Sequence, residues 1–256
     1  MKQTYSCQLI SKTELTEGIF DFVVDAPVIA KEAVCGQFLH IHCGKGTLLR
    51  RPISICDTDP QKGTVRFIFE VKGQGTSDLS RFEIGEFIDI MGPLGHGFTE
   101  TGFKNPVIIG GGIGVFPLYK LAKTVSEPVV FLGFRSADRV VLEKEFSDVA
   151  KSAAVATDDG SYGYHGFAAE LLKKHLADKN CDVVYACGPA PMLRAVKSIA
   201  EDAGVYCEVS LEQRMGCGIG ACLVCACETK HSGTDHYMRV CKNGPVFDSR
   251  EVTLND

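Results

Sequence analysis

The stretch VIIGGGIG, at residues 107–114, runs from an apolar strand through three successive glycines towards a helical pattern. A strand, a glycine turn and a helix begin a βαβ unit, which belongs to a parallel sheet. The alternation continues downstream. Predicted strands are 107–109, 129–134, 153–157, 183–186 and 206–209, and predicted helices are 117–124, 143–150, 168–176 and 191–203. Residues 101–212 are therefore predicted to form a Rossmann-like α/β domain with a parallel sheet.

Upstream of this turn the chain is rich in strand patterns and almost free of helical ones. Short β-branched or aromatic runs at 19–24, 38–43, 64–71 and 87–91 are separated by Gly, Pro and Asp. Such a pattern is typical of an antiparallel barrel or sandwich. One short helix is predicted around 77–82, capped by Ser77 or Thr76. We predict an antiparallel β-barrel domain over residues 1–100.

Downstream of residue 212 the pattern changes to closely spaced cysteines. Cys217, Cys222 and Cys225 have C-x4-C-x2-C spacing, and Cys241 follows after fifteen residues. Plant-type ferredoxins hold a [2Fe–2S] cluster with four thiolates at this spacing. A zinc site is the alternative, although it usually shows two C-x2-C pairs, and Cys227 could form a competing pair with Cys225. Residues 213–256 are predicted to form a small [2Fe–2S] domain that depends on its metal for stability.

Composition limits the classes of partner. The net charge of −5 provides no basic surface for nucleic acid or for anionic lipid. The first residues contain no apolar signal segment, and the apolar runs are far shorter than the ~20 residues of a membrane span. Twelve cysteines without such a signal favour a reducing, cytoplasmic location in which thiols bind metals. Neither a nucleic acid nor a membrane is expected as a partner.

The glycine turn at 110–114 carries the first binding hypothesis. Glycine lets a pyrophosphate approach the backbone at such a turn, and the helix N-terminus favours its negative charge. The turn departs from the G-x-G-x-x-G fingerprint, so a purely structural turn remains the alternative. Two further turns, Cys187-Gly188-Pro189 and the one containing Asp158, follow other predicted strands. These turns could line one crevice, because ligands of open α/β sheets bind at the carboxyl ends of strands.

Two segments of the barrel region have residues suited to phosphate. The run Arg50-Arg51-Pro52-Ile53-Ser54 places guanidinium groups and a hydroxyl beside a strand-like sequence, and Arg can bind phosphate through two parallel hydrogen bonds. The run GQGTS at 73–77 could add backbone N–H groups and hydroxyls. Taken singly, each run is more often a solvated surface turn.

The histidines and carboxylates indicate no hydrolytic chemistry. His40 and His42 alternate with apolar residues on one predicted strand. A pair at this spacing could bind a metal, but a place in the barrel wall is the commoner explanation. No Ser/His/Asp set or carboxylate pair stands out, so no catalytic residue is predicted.

Together these segments resemble the ferredoxin–NADP reductase superfamily. The matching segments are RPIS at 51–54, GT at 75–76, GPLGHGF at 92–98, GGGIGVFP at 110–117 and CGP at 187–189. The cysteine region, with its closing run CKNGPVFDSREV at 241–252, is more specifically similar to the electron-transfer subunits of dihydroorotate dehydrogenase B. The resemblance covers essentially the whole chain.

The resemblance implies three cofactor sites. FAD would be bound by Arg51, Pro52, Ile53, Ser54, Ile68, Phe69, Glu70, Gly75 and Thr76. The nicotinamide dinucleotide would be bound by Gly110, Gly111, Gly112, Gly114, Asp158, Cys187, Gly188 and Pro189. The [2Fe–2S] ligands would be Cys217, Cys222, Cys225 and Cys241. NAD is preferred to NADP on the resemblance, although Arg135 could meet a 2′-phosphate.

The resemblance also implies a partner. An FMN-containing dihydroorotate dehydrogenase catalytic subunit would supply electrons, which would pass through the cluster and FAD to NAD+, in a heterotetramer with two copies of each chain. The alternatives are an electron-transfer subunit of another flavoenzyme, such as a sulfide dehydrogenase or a ferredoxin:NADP oxidoreductase, a stand-alone NADH oxidase or diaphorase, and a zinc-stabilised binding module without redox turnover.

Overall fold

The computed structural model describes residues 3–44, 46–178, 180–230 and 236–254. The N-terminal strands form a closed barrel in the order β1-β2-β5-β4-β3-β6, and all neighbouring strands in it are antiparallel. These strands are β1 (Thr4–Thr16), β2 (Ile19–Asp25), β3 (Phe38–Ile41), β4 (Arg51–Asp59), β5 (Thr64–Glu70) and β6 (Phe87–Leu94). Alternate residues such as Leu9, Phe22 and Phe67 are fully buried inside the barrel. The predicted antiparallel barrel is confirmed.

Two short helices accompany the barrel, α1 (Pro27–Glu32) and α2 (Gln74–Leu79). The predicted start of α2 was wrong, because the helix begins three residues before Ser77 with Gly73 as its N-cap. The hydroxyl oxygen of Thr76 accepts hydrogen bonds from the N–H groups of Lys72 and Gly73 at 2.9 and 3.3 Å. Thr76 therefore stabilises the helix start from within the first turn.

The second half of the chain forms a seven-stranded sheet in the order β10-β9-β8-β7-β11-β12-β15. Its strands are β7 (Pro106–Gly111), β8 (Val129–Phe134), β9 (Ser152–Thr157), β10 (Tyr164–His165), β11 (Val183–Cys187), β12 (Tyr206–Ser210) and β15 (Val246–Asp248). Its helices are α3 (Phe116–Thr124), α4 (Glu143–Val149), α5 (Ala168–Asp178) and α6 (Ala190–Asp202), with 3-10 turns at Gly112–Val115 and Ala137–Arg139. All pairs are parallel except β12–β15. The predicted parallel α/β architecture is confirmed.

The cysteine region lies against this sheet. The short strands β13 (Ala226–Glu228) and β14 (Tyr237–Arg239) pair as a hairpin, and α7 (Val240–Asn243) leads into β15. Cys225 and Cys241 are buried in the apolar core that lies between α6 and the sheet. The segment is thus attached to the sheet at both ends, by β12 before it and by β15 after it.

Two arginines join the barrel to the α/β domain. The Arg66 guanidinium on β5 donates to the Asp21 carboxylate on β2 at 2.8 Å and to the Glu145 carboxylate on α4 at 2.6 Å. The Arg139 guanidinium donates to the Glu70 carboxylate on β5 at 2.6 Å. These ion pairs fix the relative placement of the two domains. No helix in the described part of the chain is long and apolar enough to span a membrane.

Candidate functional site

A cavity of about 760 Å³ separates the barrel from the α/β domain. This volume lies within the range of small-molecule and cofactor sites. Eight of the nine residues predicted to bind FAD line the cavity: Arg51, Pro52, Ile53, Ser54, Ile68, Phe69, Glu70 and Thr76. The ninth, Gly75, lies directly behind Arg51, because a Cβ atom on Gly75 would be 2.6 Å from the Arg51 Nε. The structure therefore brings this predicted set together.

Arg51 provides the cationic end of this cavity. Its Nη1 donates to the backbone carbonyl of Leu49 at 2.5 Å. Its Nε and Nη2 donate no hydrogen bond to any residue that the structure describes, and they lie over Gly75. A guanidinium held in this way can donate to a phosphate, while Phe38, Ile68 and other apolar side chains of the lining can cover an aromatic ring. This combination of groups fits a flavin dinucleotide.

A second cavity, of about 380 Å³, lies at the carboxyl ends of the parallel strands. Five residues of the predicted nicotinamide set line it: Gly111, Gly112, Gly114, Gly188 and Pro189. Cys187 instead lines the first cavity. Gly110 and Asp158 belong to neither described lining. The two glycine turns meet because β7 and β11 are neighbours, with Gly110 paired to Cys187.

Packing explains most of these glycines. A Cβ atom on Gly114 would lie 2.5 Å from the carbonyl oxygen of Cys187, and one on Gly111 would lie 2.6 Å from the sulfur of Met192. Gly114 must therefore be glycine for the two turns to pack, whereas the contact at Gly111 is with the flexible end of the Met192 side chain, which can shift. Gly112 differs, since a Cβ atom there would meet nothing within 4 Å and its φ is +54°. The space that a side chain of residue 112 would occupy opens into the second cavity, where a ligand can approach the backbone.

The two cavities share four lining residues, Glu70, Lys72, Ile113 and Glu212. Glu70 accepts hydrogen bonds from Arg139 at 2.6 Å and pairs with the Lys72 ammonium at 3.2 Å. A ligand in one cavity would therefore lie next to a ligand in the other at this common wall. Only Glu70 of these four was predicted from the sequence; Lys72 and Glu212 lie outside any motif, and Ile113 is the one residue of the turn at 110–114 that is not glycine.

The thiols of the predicted cluster form two pairs. The Cys217 and Cys222 sulfurs lie 3.3 Å apart, and the backbone N–H of Cys241 donates to the Cys225 sulfur at 3.5 Å. A [2Fe–2S] cluster takes four thiolates over two irons, two on each iron. Among the residues described, no three or more His, Cys, Asp or Glu side chains converge on one point suited to a single metal ion. Two thiols as close as Cys217 and Cys222 can serve together as ligands of one iron in such a cluster.

Backbone N–H groups surround the sulfurs. Ala221 and Cys222 donate to the Cys217 sulfur at 3.3 and 3.4 Å, and Gly220 donates to the Cys241 sulfur at 3.1 Å. Burial opposes ionisation of Cys217, but the N–H groups of Cys222, Ile219 and Ala221 and the Cys222 thiol outweigh it and lower its pKa to about 6. Such donors stabilise thiolate ligands. The buried thiol of Cys227 packs in the core beside the pairs.

The loop of residues 216–225, which contains three of the predicted cluster ligands and is called the cluster loop, adjoins the first cavity, called the flavin cavity for its predicted ligand. Met215 lines that cavity, and Cys217 follows two residues later. Arg239 holds the loop by donating to the carbonyl oxygen of Gly220 at 2.9 Å. On its outer side, Ile219, Leu223 and Val224 are exposed to 48%, 73% and 57%. The loop thus has one side against the flavin cavity and an apolar side facing solvent.

Three family models match consecutive parts of the chain. The oxidoreductase FAD-binding domain matches residues 6–98, and the oxidoreductase NAD-binding domain matches residues 108–198. The iron-sulfur cluster binding domain of dihydroorotate dehydrogenase B matches residues 212–253. The three matches correspond to the barrel, the parallel sheet and the cysteine region.

Solved structures show the same architecture. The structure described as NADH-dependent reduced ferredoxin-NADP oxidoreductase, studied for flavin-based electron bifurcation, aligns with a TM-score of 0.88 and 30% identity over 99% of this chain and 92% of its own. The cytochrome b5 reductase domain of Ulva prolifera nitrate reductase aligns with a TM-score of 0.66 and 18% identity over 79% of this chain and 94% of its own, which shows the fold alone.

Curated relatives extend over the whole length. The proteins named dihydroorotate dehydrogenase B (NAD(+)), electron transfer subunit, from Bacillus cereus strain 03BB102 and Bacillus mycoides strain KBAB4 are each 38% identical to this chain. Each alignment covers 99% of this chain and 100% of the relative. The chain therefore belongs to the family of dihydroorotate dehydrogenase B electron-transfer subunits, within the ferredoxin–NADP reductase superfamily.

Proposed function

We propose that this chain is the electron-transfer subunit of a type B dihydroorotate dehydrogenase and carries electrons from a catalytic subunit to NAD+. The main observation behind this proposal is that three candidate sites adjoin one another in order within one chain. Paired thiols adjoin a flavin-sized cavity, which shares a wall with a cavity at the carboxyl ends of the sheet strands. Relatives 38% identical over the full length have this function in their name.

The bound flavin supplies the conversion between single electrons from the cluster and the hydride that NAD+ accepts. The protein binds and orients it. Arg51 and Ser54 face the cavity from β4, where they can donate to phosphate, and Ile68 and Phe69 on β5 provide an apolar wall. The remaining proposed FAD residues are Pro52, Ile53, Glu70, Gly75 and Thr76.

The nicotinamide dinucleotide is proposed to bind in the second cavity. The turns of Gly110, Gly111, Gly112, Gly114 and of Cys187, Gly188, Pro189, with Asp158 at the end of β9, form the proposed binding set. Gly112 leaves its backbone open to the ligand, and Arg139 holds Glu70 in the wall between the two cavities. This wall would hold the two ligands next to each other.

The proposed cluster ligands are Cys217, Cys222, Cys225 and Cys241. These four residues would hold the cluster, and the N–H groups of residues 220–222 would stabilise the ligating sulfurs. Because the loop reaches solvent on one side and the flavin cavity on the other, electrons can enter from a docked protein and continue inward.

The partner is proposed to be the FMN-containing catalytic subunit, in an assembly of two copies of each chain within cytoplasmic pyrimidine biosynthesis. The exposed apolar side chains of Ile219, Leu223 and Val224 support docking at the cluster loop. Apolar side chains exposed beside ligating thiols are well placed to be buried by a partner.

Reconstitution of the complex tests this function. The chain, loaded with FAD and iron, is purified together with the catalytic subunit and assayed for dihydroorotate-dependent NAD+ reduction. A Cys222→Ser chain in the same complex serves as the control, because it retains both cavities but loses a proposed ligand. Activity in the first complex and its loss in the second support the proposal. A fully loaded complex without activity contradicts it.

A second candidate is an electron-bifurcating oxidoreductase subunit. The TM-score of 0.88 and 30% identity to the NADH-dependent reduced ferredoxin-NADP oxidoreductase structure favour this reading. The same purified chain is tested with reduced ferredoxin, NADP+ and NADH. Activity there, with none towards dihydroorotate, would assign the chain to the second class.

A further inference from the structure

His40 is a buried polar residue that the proposed electron path does not yet include. It lies on β3 between Leu39 and Ile41, both of which point into the barrel core, so its imidazole lies on the outer face of the barrel. Its neighbours across the sheet are Pro52 on β4 and Met91 on β6. Only 1% of His40 is exposed.

Neither ring nitrogen of His40 has a hydrogen-bond partner among the residues that the structure describes. An unsatisfied buried polar group costs about 1–3 kcal/mol, so a ring buried this fully is expected to have a partner. Whether neutral or protonated, an imidazole keeps at least one N–H donor. A group with acceptor atoms is therefore needed at this position.

The ring faces the cluster loop. A Cβ atom on Gly218 would lie 2.5 Å from the His40 Nδ1 and 3.1 Å from its Cε1. Gly218 follows Cys217 directly and has a φ of +70°, so both its conformation and its contact with the ring require glycine. The imidazole of His40 is thus packed against the turn that carries the proposed cluster ligand Cys217.

The flavin is less well placed to be the partner. Phe38, two residues earlier and on the same face of β3, lines the flavin cavity, whereas His40 belongs to neither cavity lining. His40 therefore lies beside the flavin cavity, on the side where the loop of Cys217 crosses the barrel. The sulfur acceptors that this loop would hold on its thiols are therefore the candidates for a partner of the ring.

We propose that His40 donates an N–H hydrogen bond to the sulfur atoms of the [2Fe–2S] cluster, either to a bridging sulfide or to the Cys217 sulfur. This inference rests on the proposed cluster function. A donor to cluster sulfur stabilises the more negative, reduced cluster and so raises its reduction potential. In this account His40 acts directly on the cluster and joins it to the barrel wall beside the flavin site.

The test uses the holo chain and a spectroscopic readout. The reduced wild-type chain, labelled with ¹⁵N-histidine, is expected to show a ¹⁵N coupling to the cluster in pulsed electron paramagnetic resonance, and His40→Leu is expected to lose it. In redox titrations, His40→Leu should lower the equilibrium constant for cluster reduction about tenfold. For a one-electron couple, this is a fall of about 59 mV in the reduction potential. His40→Gln retains an N–H donor and should restore most of that shift.

His42→Leu is the matched control. His42 is on the same segment, is partly exposed, and its Nδ1 already accepts from the N–H of Gly44 at 3.4 Å. Its replacement should leave the coupling and the potential unchanged. The proposal is overturned if the labelled wild-type chain shows no histidine coupling, or if His40→Leu has the wild-type potential. A wild-type chain that lacks the [2Fe–2S] signal altogether would instead contradict the cluster assignment.

Discussion

Replacing Gly114 by alanine tests how the two glycine turns form the proposed nicotinamide site. The new Cβ atom would lie 2.5 Å from the carbonyl oxygen of Cys187 and 2.6 Å from the Cα of Gly188. Ordinary contacts are about 3.5 Å, so the two turns must separate by about 1 Å. Both neighbours are backbone atoms, so a side-chain rotation cannot relieve the contact.

The magnitude follows from this displacement. Overpacking of this kind lowers the free energy of unfolding by about 1–3 kcal/mol. For a chain of this size, the midpoint of thermal unfolding should therefore fall by roughly 2–12 °C. A displacement of about 1 Å at a positioned ligand can cost on the order of 100-fold in rate. We therefore expect kcat/KM for reduction of the bound flavin by NADH to fall between about tenfold and 100-fold.

Stopped-flow reduction of the flavin by NADH measures the functional effect, and thermal unfolding measures the stability. Gly204→Ala is the control, because Gly204 lies outside both cavity linings, has a φ of +67° and has no atom within 4 Å of an added Cβ. Gly204→Ala should lower the free energy of unfolding by about 1–2 kcal/mol through backbone strain. It should leave the rate of flavin reduction by NADH unchanged. Wild-type kinetics in Gly114→Ala would refute the reasoning.

Three further changes test other parts of the site. Arg139→Ala removes the 2.6 Å hydrogen bond to Glu70 and should lower the free energy of unfolding in denaturant by about 1–3 kcal/mol. It should also raise the KM for NADH. An unchanged KM would contradict a positioning role for the wall between the two cavities. Cys222→Ser should lose cluster iron whereas Cys227→Ser retains it, as measured by iron content and electron paramagnetic resonance; equal iron loss in both variants would contradict the assigned ligand set. Leu223→Ser, at a side chain 73% exposed, should weaken association with the catalytic subunit in analytical ultracentrifugation and leave flavin reduction by NADH unchanged; undiminished association would exclude docking at this residue.

The sequence predicted the architecture well because its periodic signals are strong. Apolar runs such as β7 and β11 are buried along their whole length, and the glycine turns after them mark the carboxyl edge of the sheet. The short β-branched and aromatic runs of the first hundred residues indicated a barrel or a sandwich, and the family resemblance favoured the barrel that the structure shows. The start of α2 was wrong, because the Thr76 hydroxyl acts from the third position of the helix and gives no distinctive pattern.

Other features could not be predicted because they arise from packing between distant segments. β15 has only three residues, and its pairing with β12 depends on the path of the cysteine region, so no periodicity indicates it. Glu212 and Lys72 join the two cavities from segments without a motif. His40 looked like an ordinary barrel-wall residue until its missing partners and its contact with Gly218 were visible.

Cofactor content of the freshly isolated chain, prepared without oxygen, tests the central claim most directly. Iron, acid-labile sulfide and flavin are quantified beside the visible spectrum and the electron paramagnetic resonance of the dithionite-reduced protein. The account predicts about two irons and about one FAD per chain, with a [2Fe–2S] signal on reduction. A colourless chain with stoichiometric zinc, which takes up neither iron nor flavin on reconstitution, would contradict it.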